Sequence, residues 1–428
     1  MSAESDTCWD ALIIGGGPSG ATAAILLARR GWRVAIAEKK LFPRRKVCGE
    51  FVSATTWPLL RKLGVADLLS ERAGPEVRRV GLYAAHAVLG ADMPSPRNAL
   101  EGWGRAIGRE HLDTQLLERA VQTGARLLQP CAISSIDQDG PGYVCSGTID
   151  DAAGSDGPRP LRCRARIVIA AHGSWETGVM PTQSTRQPLL PADLFAFKAH
   201  FRSAGLPMGT MPLLVFPHGY GGMVQSGGGR VSLSCCIRRD ALEKARRVHA
   251  GTYGTARAAD AVLAHIRATC RGVREALSGA TLEGAWLSAG PIRPGMRRLA
   301  RGGIFAVGNA AGEAHPIVAE GISMAIQSSW LLCDHLVPQE DALLAGAPHA
   351  RSSALAAVAR GYRRGWRDAF VTRIHAASLF AQVCMRPGTA ALAVALLQTT
   401  PAMLTLGARL SGKARSLRPR GFGARIES

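Results

Sequence analysis

Gly15-x-Gly17-x-x-Gly20 stands between an apolar run, WDALII (9–14), and a segment of helical spacing, PSGATAAILLARR (18–30). The run reads as a buried strand, and the segment as a helix with proline in its first turn and Gly31 as its stop. WRVAIAE (32–38) follows as a second buried strand. Strand, glycine turn, helix and strand within ~30 residues make a βαβ unit. Each glycine has a physical task. Gly15 permits the tight turn, Gly17 lets backbone N–H groups approach a pyrophosphate, and Gly20 lets the helix pack close to the sheet. The helix N-terminus adds partial positive charge for the phosphates. Glu38, at the end of the second strand, can accept hydrogen bonds from a ribose diol and would repel a 2′-phosphate. A bare glycine triplet is weak evidence, but with both strands, the helix and the acid in place it specifies a dinucleotide site. It does not separate FAD from NAD.

Further along, REHLDTQLLERAVQTGA (109–125) reads as an amphipathic helix leading into a strand, RLLQP. A β-meander is expected around 143–149, a buried strand at 164–171 and a twisted antiparallel sheet over 186–240. A strand and glycine turn recur at 302–316, followed by a helix from about Gly321 to His335. From 350 onward the pattern is helical, and APHARSS (347–353) is the best candidate for a linker into these helices. Between Arg386 and Arg409 lie 22 uncharged residues. Gln398, Thr399, Thr400 and Pro401 interrupt their middle, which leaves three readings: a helical hairpin packed on the protein, an interfacial segment, or a spanning helix.

Lysine and arginine total 52 against 32 acidic residues, a net charge of +20. The basic residues are mostly scattered arginines and aromatics are only 5%, which argues against a nucleic-acid surface and leaves compositional bias or attraction to an anionic membrane. The densest basic run is the tail SGKARSLRPRGFGARIES. Ten cysteines show neither C-x-x-C nor zinc-finger spacing, so neither a structural metal nor a disulfide scaffold is expected. The acidic N-terminus lacks the features of a secretory signal, so the expected location is cytoplasmic, with peripheral contact at the inner face of the membrane as an option.

From Phe42 the chain reads FPRRKVCGEF, and here it resembles the group A flavoproteins, the p-hydroxybenzoate-hydroxylase-like fold of aromatic hydroxylases, geranylgeranyl reductases and flavin-dependent halogenases. The Arg-x-x-Cys-Gly-Glu element looks most like the reductase branch. GREHLDTQLLERA (108–120), IVIAAHGSWE (167–176) and AVGNAAGEAHPIVAEGISMAIQSS (306–329) match further family segments in order and spacing. His172 replaces the Asp of the family's Asp-Gly motif, and Asn309 the Asp of its Gly-Asp motif. An asparagine can still hydrogen-bond a ribityl hydroxyl, whereas His172 departs from the family's handling of pyrophosphate and NAD(P)H.

The resemblance implies an α/β fold: a Rossmann-type FAD-binding domain with an inserted antiparallel-sheet substrate domain and a C-terminal helical extension. The expected boundaries are 1–74, 106–176 and 296–337 for FAD, 75–105 and 177–295 for substrate, and 350–428 for the extension. By the resemblance Arg109 contacts FAD, while Gly173, Gly308, Asn309, Gly312 and Gly321 form the later part of the cofactor site. Pro316 would lie near the reactive edge of the flavin ring, with the helix from Gly321 aimed at its N1/C2 carbonyl. Arg44, Arg45 and Lys46 would contact the ribityl chain or shield charge on the ring, and Cys48, a thiol in a basic loop, would sit beside it with a lowered pKa. His218 and His315 are the candidates for proton transfer, with Tyr220 to position a substrate oxygen.

The halogenase signature Trp-x-Trp-x-Ile-Pro is absent from the chain, and the reductases' Tyr-x-Trp-x-Phe-Pro survives only in broken form in LLVFPHGYGGMV (213–224). The expected function is an FAD-dependent monooxygenase acting on a lipophilic, aromatic or polyketide-like small molecule, with NADPH or NADH as electron donor. Isoprenoid double-bond reduction and non-catalytic flavin binding are the alternatives.

Overall fold

The structure, a computed structural model, describes residues 7–96, 102–150, 157–174, 178, 180–183, 185, 187–253 and 257–413. Its first sheet is built on the glycine-turn unit. The strand Cys8–Ile14 lies between Val34–Ala37 and Arg159–Ala170, parallel to both, with Ile13 opposite Ile36 and Ile169. Arg126–Leu128 extends one side, and Ile304–Ala306 and Ala300–Arg301 the other. Both faces are covered, which is why the central strands are apolar throughout rather than alternating. Helices Pro18–Ala28, Arg109–Gln122 and Gly321–Leu336 pack on one face. On the other, Leu12, Ile14, Ala35 and Ala37 meet Cys131, Ile133, Cys145 and Cys163. The last four come from antiparallel Cys131–Asp139 and Gly142–Ile149 and the start of Arg159–Ala170, the expected meander. Helix Pro18–Ala28 is buried almost all round; Ile25, Leu26 and Leu27 each contribute about 1.5–3 kcal/mol by leaving water.

The second sheet has seven strands. In order they are Thr281–Ile292, Leu194–Arg202, Arg230–Arg238, Gly219–Ser226, Thr210–Phe216, Arg79–Ala84 and Ala87–Asp92. The sheet expected over 186–240 is therefore wider, since strands from 281–292 and 79–92 join its two edges, and Thr210–Phe216 runs parallel to Arg79–Ala84. Helices Arg239–Tyr253, Ala258–Thr269 and Arg271–Ala276 cover one face through Leu242, Val262, Ile266 and Val273. Ala196, Val215, Tyr220 and Cys236 look from the other face toward the first sheet's glycine turns.

The linker expected at 347–353 is instead the first turns of a 38-residue helix, Pro348–Met385. Pro348 takes N1, where its missing N–H is not needed. Buried Arg351 donates to the carbonyls of Pro141 (2.7 Å) and Arg166 (2.5 Å), so this segment anchors the helix. A stripe of Ala354, Val358, Tyr362, Trp366, Phe370 and Ile374, four residues apart, seats the helix on the core. The chain then bends by 102° into Pro387–Thr399, followed by Ala402–Ala408. This is the hairpin reading, and among the described residues no single helix is long and apolar enough to cross a membrane. Most of the basic tail, from 414, lies outside the described residues.

Candidate functional site

One cavity of about 910 Å3 runs between the two sheets and under the C-terminal helices. Its narrow polar end is the glycine turn. Gly15 has φ +107°, and a Cβ there would stand 2.6 Å from the Ala171 carbonyl oxygen. A Cβ at Gly20 would fall 1.8 Å from the Gly15 oxygen, so Gly20 sets helix-to-turn contact and does not line the cavity. Gly17 does line it, and a side chain there would meet nothing within 4 Å. That open backbone begins an 11-residue helix, the arrangement that accepts phosphate.

Glu38 is buried at the end of its strand. Its carboxylate accepts N–H bonds from Gly16 (2.8 Å) and Lys40 (2.9 Å), with Arg44 Nη2 at 3.7 Å. Each oxygen keeps a lone pair for a diol. Arg44, Arg45, Lys46 and Cys48 all line the cavity. Lys46 is half-buried there, and loss of hydration, with Arg109 and Arg44 close by, brings its pKa down to about 8. Arg109 also reaches the wall; burial opposes its charge, but two 2.6 Å bonds to Asp113 outweigh this and hold its pKa above the ordinary guanidinium value.

Gly173, Asn309, Gly312 and Gly321 also line the cavity. Gly173 has φ +86°, and a Cβ there would have only Lys46 Nζ near it, at 4.0 Å, while Gly321 opens a 16-residue helix into free space. Gly308 stands apart: a Cβ there would strike Ser19 Oγ at 2.6 Å, so it packs one turn against another and does not face the cavity. His172 turns to its own loop, with Nδ1 2.8 Å from the Gly173 carbonyl oxygen and Nε2 3.0 Å from Thr182 Oγ1.

Two predicted residues meet on the cavity wall. The Tyr220 hydroxyl lies 3.1 Å from His315 Nδ1, with the rings edge-on. Burial lowers the His315 pKa to about 4, so its imidazole is neutral near pH 7 and, in the tautomer protonated at Nε2, accepts from the tyrosine at Nδ1. Pro316 follows in a short 3-10 turn on the wall. His218 is a correction. It sits exposed at the turn between Thr210–Phe216 and Gly219–Ser226, with φ +62° and its backbone N–H on the Met385 carbonyl, outside the cavity wall. The hairpin closes there, which removes it as a proton donor to the site.

Sequence reasoning missed two polar clusters. Glu313 is buried on the wall, its pKa raised by burial against the opposing effects of a 2.6 Å bond from Ser174 and of Arg297 at 3.7 Å. Its place inside the family-like segment 306–329 was the available signal. The second joins Glu50 to Lys198 and, at 2.9 Å, to His200 Nε2, while Arg45 bonds His200 Nδ1. Burial alone would raise the Glu50 pKa, but His200 and Lys198 outweigh it and hold the carboxyl at about 2. These partners are 148 and 150 residues apart in sequence, and no local pattern marks them.

The apolar end is walled by Leu82, Leu213, Val215 and Met223 from the second sheet and by Phe380, Val383, Leu397 and Leu404 from the C-terminal helices. Among the described residues no group of three metal-ligating side chains occurs.

Residues 9–342 match the family described as FAD binding domain. Conditioned medium factor receptor 1 of Dictyostelium discoideum is 30% identical over 193 residues, 44% of this chain and 36% of that protein. The 6-methylpretetramide 4-monooxygenase of Streptomyces rimosus is 30% identical over 183 residues, 41% of this chain and 40% of that protein. The matched segments thus span well under half of these relatives' lengths. A solved flavin-dependent brominase shares the fold, with TM-score 0.70 and 16% identity over 95% of this chain and 94% of its own. With open backbone where phosphates would lie, an acid where a ribose would lie and a family match over most of its length, this chain belongs to the FAD-binding-domain family.

Proposed function

We propose that the chain is an FAD-dependent monooxygenase acting on a lipophilic, aromatic or polyketide-like small molecule, with NADPH or NADH as electron donor. The observation that carries this is the continuity of one cavity from the glycine cradle to an apolar chamber. FAD, when bound, would supply hydride acceptance and oxygen activation. The residues present fit it: Gly17, Gly173 and Gly321 leave room for backbone contact, and Glu38 keeps acceptor capacity for the ribose. Arg44, Lys46 and Arg109, on the same wall, would supply positive charge to the phosphates and ribityl chain. The helix from Gly321 offers about half a positive charge to negative charge on the ring.

Toward substrate, Tyr220 and His315 form a hydrogen-bonded pair, both neutral near pH 7 because burial raises the pKa of the phenol and lowers that of the imidazole, able to position a hydroxyl or carbonyl. The chamber's aliphatic wall excludes water and selects for apolar bulk. Cys48 on the same wall, in the Arg-x-x-Cys-Gly-Glu loop, favours reduction of a double bond as the second reading.

The test uses FAD-loaded protein with NADPH, isotopically labelled dioxygen and a panel of lipophilic phenols. The monooxygenase reading expects substrate-stimulated NADPH oxidation and label in the product. A product gaining two hydrogens and no label supports the reductase reading, and no consumption with any substrate supports non-catalytic binding.

A further inference from the structure

We propose that the hairpin of Pro387–Thr399 and Ala402–Ala408 docks its outward face on an anionic lipid surface. From 387 to 408 the hairpin carries no charge. Its inner side, through Val394, Leu397 and Leu404, packs with Leu82, Ala84 and Val215. A surface helix normally turns polar residues outward. Here Leu392 is 74% exposed, Leu406 51% and Leu410 56%, with Leu396 and Met403 beside them. Aliphatic side chains therefore stand on both faces of the hairpin, with the exposed polar residues Gln398, Thr399 and Thr400 gathered at the turn between its helices.

Length decides how such a segment meets a bilayer. Thirteen residues give a helix of about 20 Å, short of a hydrocarbon core of about 30 Å, so this one lies in the interface rather than spanning it. Charge decides the occupant. Arg386 and Arg409 are exposed at the hairpin's two ends, the chain carries +20 overall, and the sequence beyond Gly412 has five basic residues against one acid. A second copy of this chain would bring the same arginines face to face, whereas anionic headgroups complement them. The hairpin also forms the outer wall of the cavity through Val394 and Leu397, so docking sets the chamber's apolar end one helix away from lipid. Delivery of substrate from that lipid rests on the function proposed above; docking itself does not.

The full chain is sedimented with phosphatidylcholine vesicles and with vesicles that also contain phosphatidylglycerol. Binding to the anionic vesicles is expected, weakening as salt rises. The variant Leu392→Asp/Leu406→Asp/Leu410→Asp changes only side chains outside the cavity wall and should lose roughly tenfold or more in partitioning, at unchanged melting temperature and FAD retention. Two results would overturn the proposal. One is wild-type protein that stays in the supernatant with anionic vesicles. The other is a dimer in light scattering that this variant converts to monomer, with no vesicle binding by wild type.

Discussion

The two ends of the cavity are made of opposite materials. At the cradle, position is set by backbone: Gly15 at φ +107°, amides on Glu38 and a helix N-terminus open beyond Gly17. At the chamber, aliphatic side chains from the second sheet and the C-terminal helices share the wall with few fixed charges. Hydrogen bonds demand geometry to within tenths of an ångström, while apolar walls tolerate volume-conserving exchange. One end is thus suited to one cofactor, and the other to a class of substrates set by bulk.

The largest test of this contrast is Glu50→Gln. It leaves Lys198 buried without its counter-charge and should cost about 3–5 kcal/mol in urea unfolding. Adding Lys198→Met should recover part of that. A loss under about 1 kcal/mol, no more than a single ordinary hydrogen bond, would show that the cluster is not structural. The pH dependence follows in sign. The Glu50 carboxyl is held at about 2 in the folded protein against an ordinary 4.5, so its contribution is present above 4.5 and lost as pH falls toward 2. Wild type should lose stability across that window by more than Glu50→Gln does.

Next comes Glu38→Ala, which should weaken FAD retention by about 1–3 kcal/mol, read from flavin fluorescence released on dilution. Unchanged affinity would take the ribose away from Glu38. Tyr220→Phe removes one hydroxyl at constant shape and should cost about 0.5–1.5 kcal/mol in stability without freeing flavin. With His315 at about 4, pH–rate profiles of the wild type should show no titration of this histidine between 5 and 8. The smallest effect is expected at Leu213→Met in the chamber: under about 1.5 kcal/mol in stability, altered KM for an apolar substrate and the same FAD affinity. Flavin loss in that variant would break the division between the two ends.

The cradle was legible in sequence because its signals are local. Glycine spacing, a buried strand on either side and an acid at the strand end all fall within residues 9–38, and the same holds for the helix from Gly321. The chamber was not, because periodicity says which residues are buried but not what they meet. The neighbours of His218 in sequence point it toward the site, yet the hairpin turns at that residue and carries it outside. Glu50, Lys198 and His200 meet only when two sheets are brought together. The run 347–353 reads as a linker because proline opens helices as readily as it interrupts them, and only buried Arg351 shows which occurs here.

The most direct test of the account is the visible spectrum of the purified full chain after incubation with FAD and gel filtration, beside Glu38→Ala treated alike. The account predicts flavin bands at equimolar protein in wild type and a depleted spectrum in the variant. Wild-type protein that emerges colourless would contradict it, and would mean that a chain with His172 and Asn309 in place of aspartates has the fold of the cradle without its cofactor.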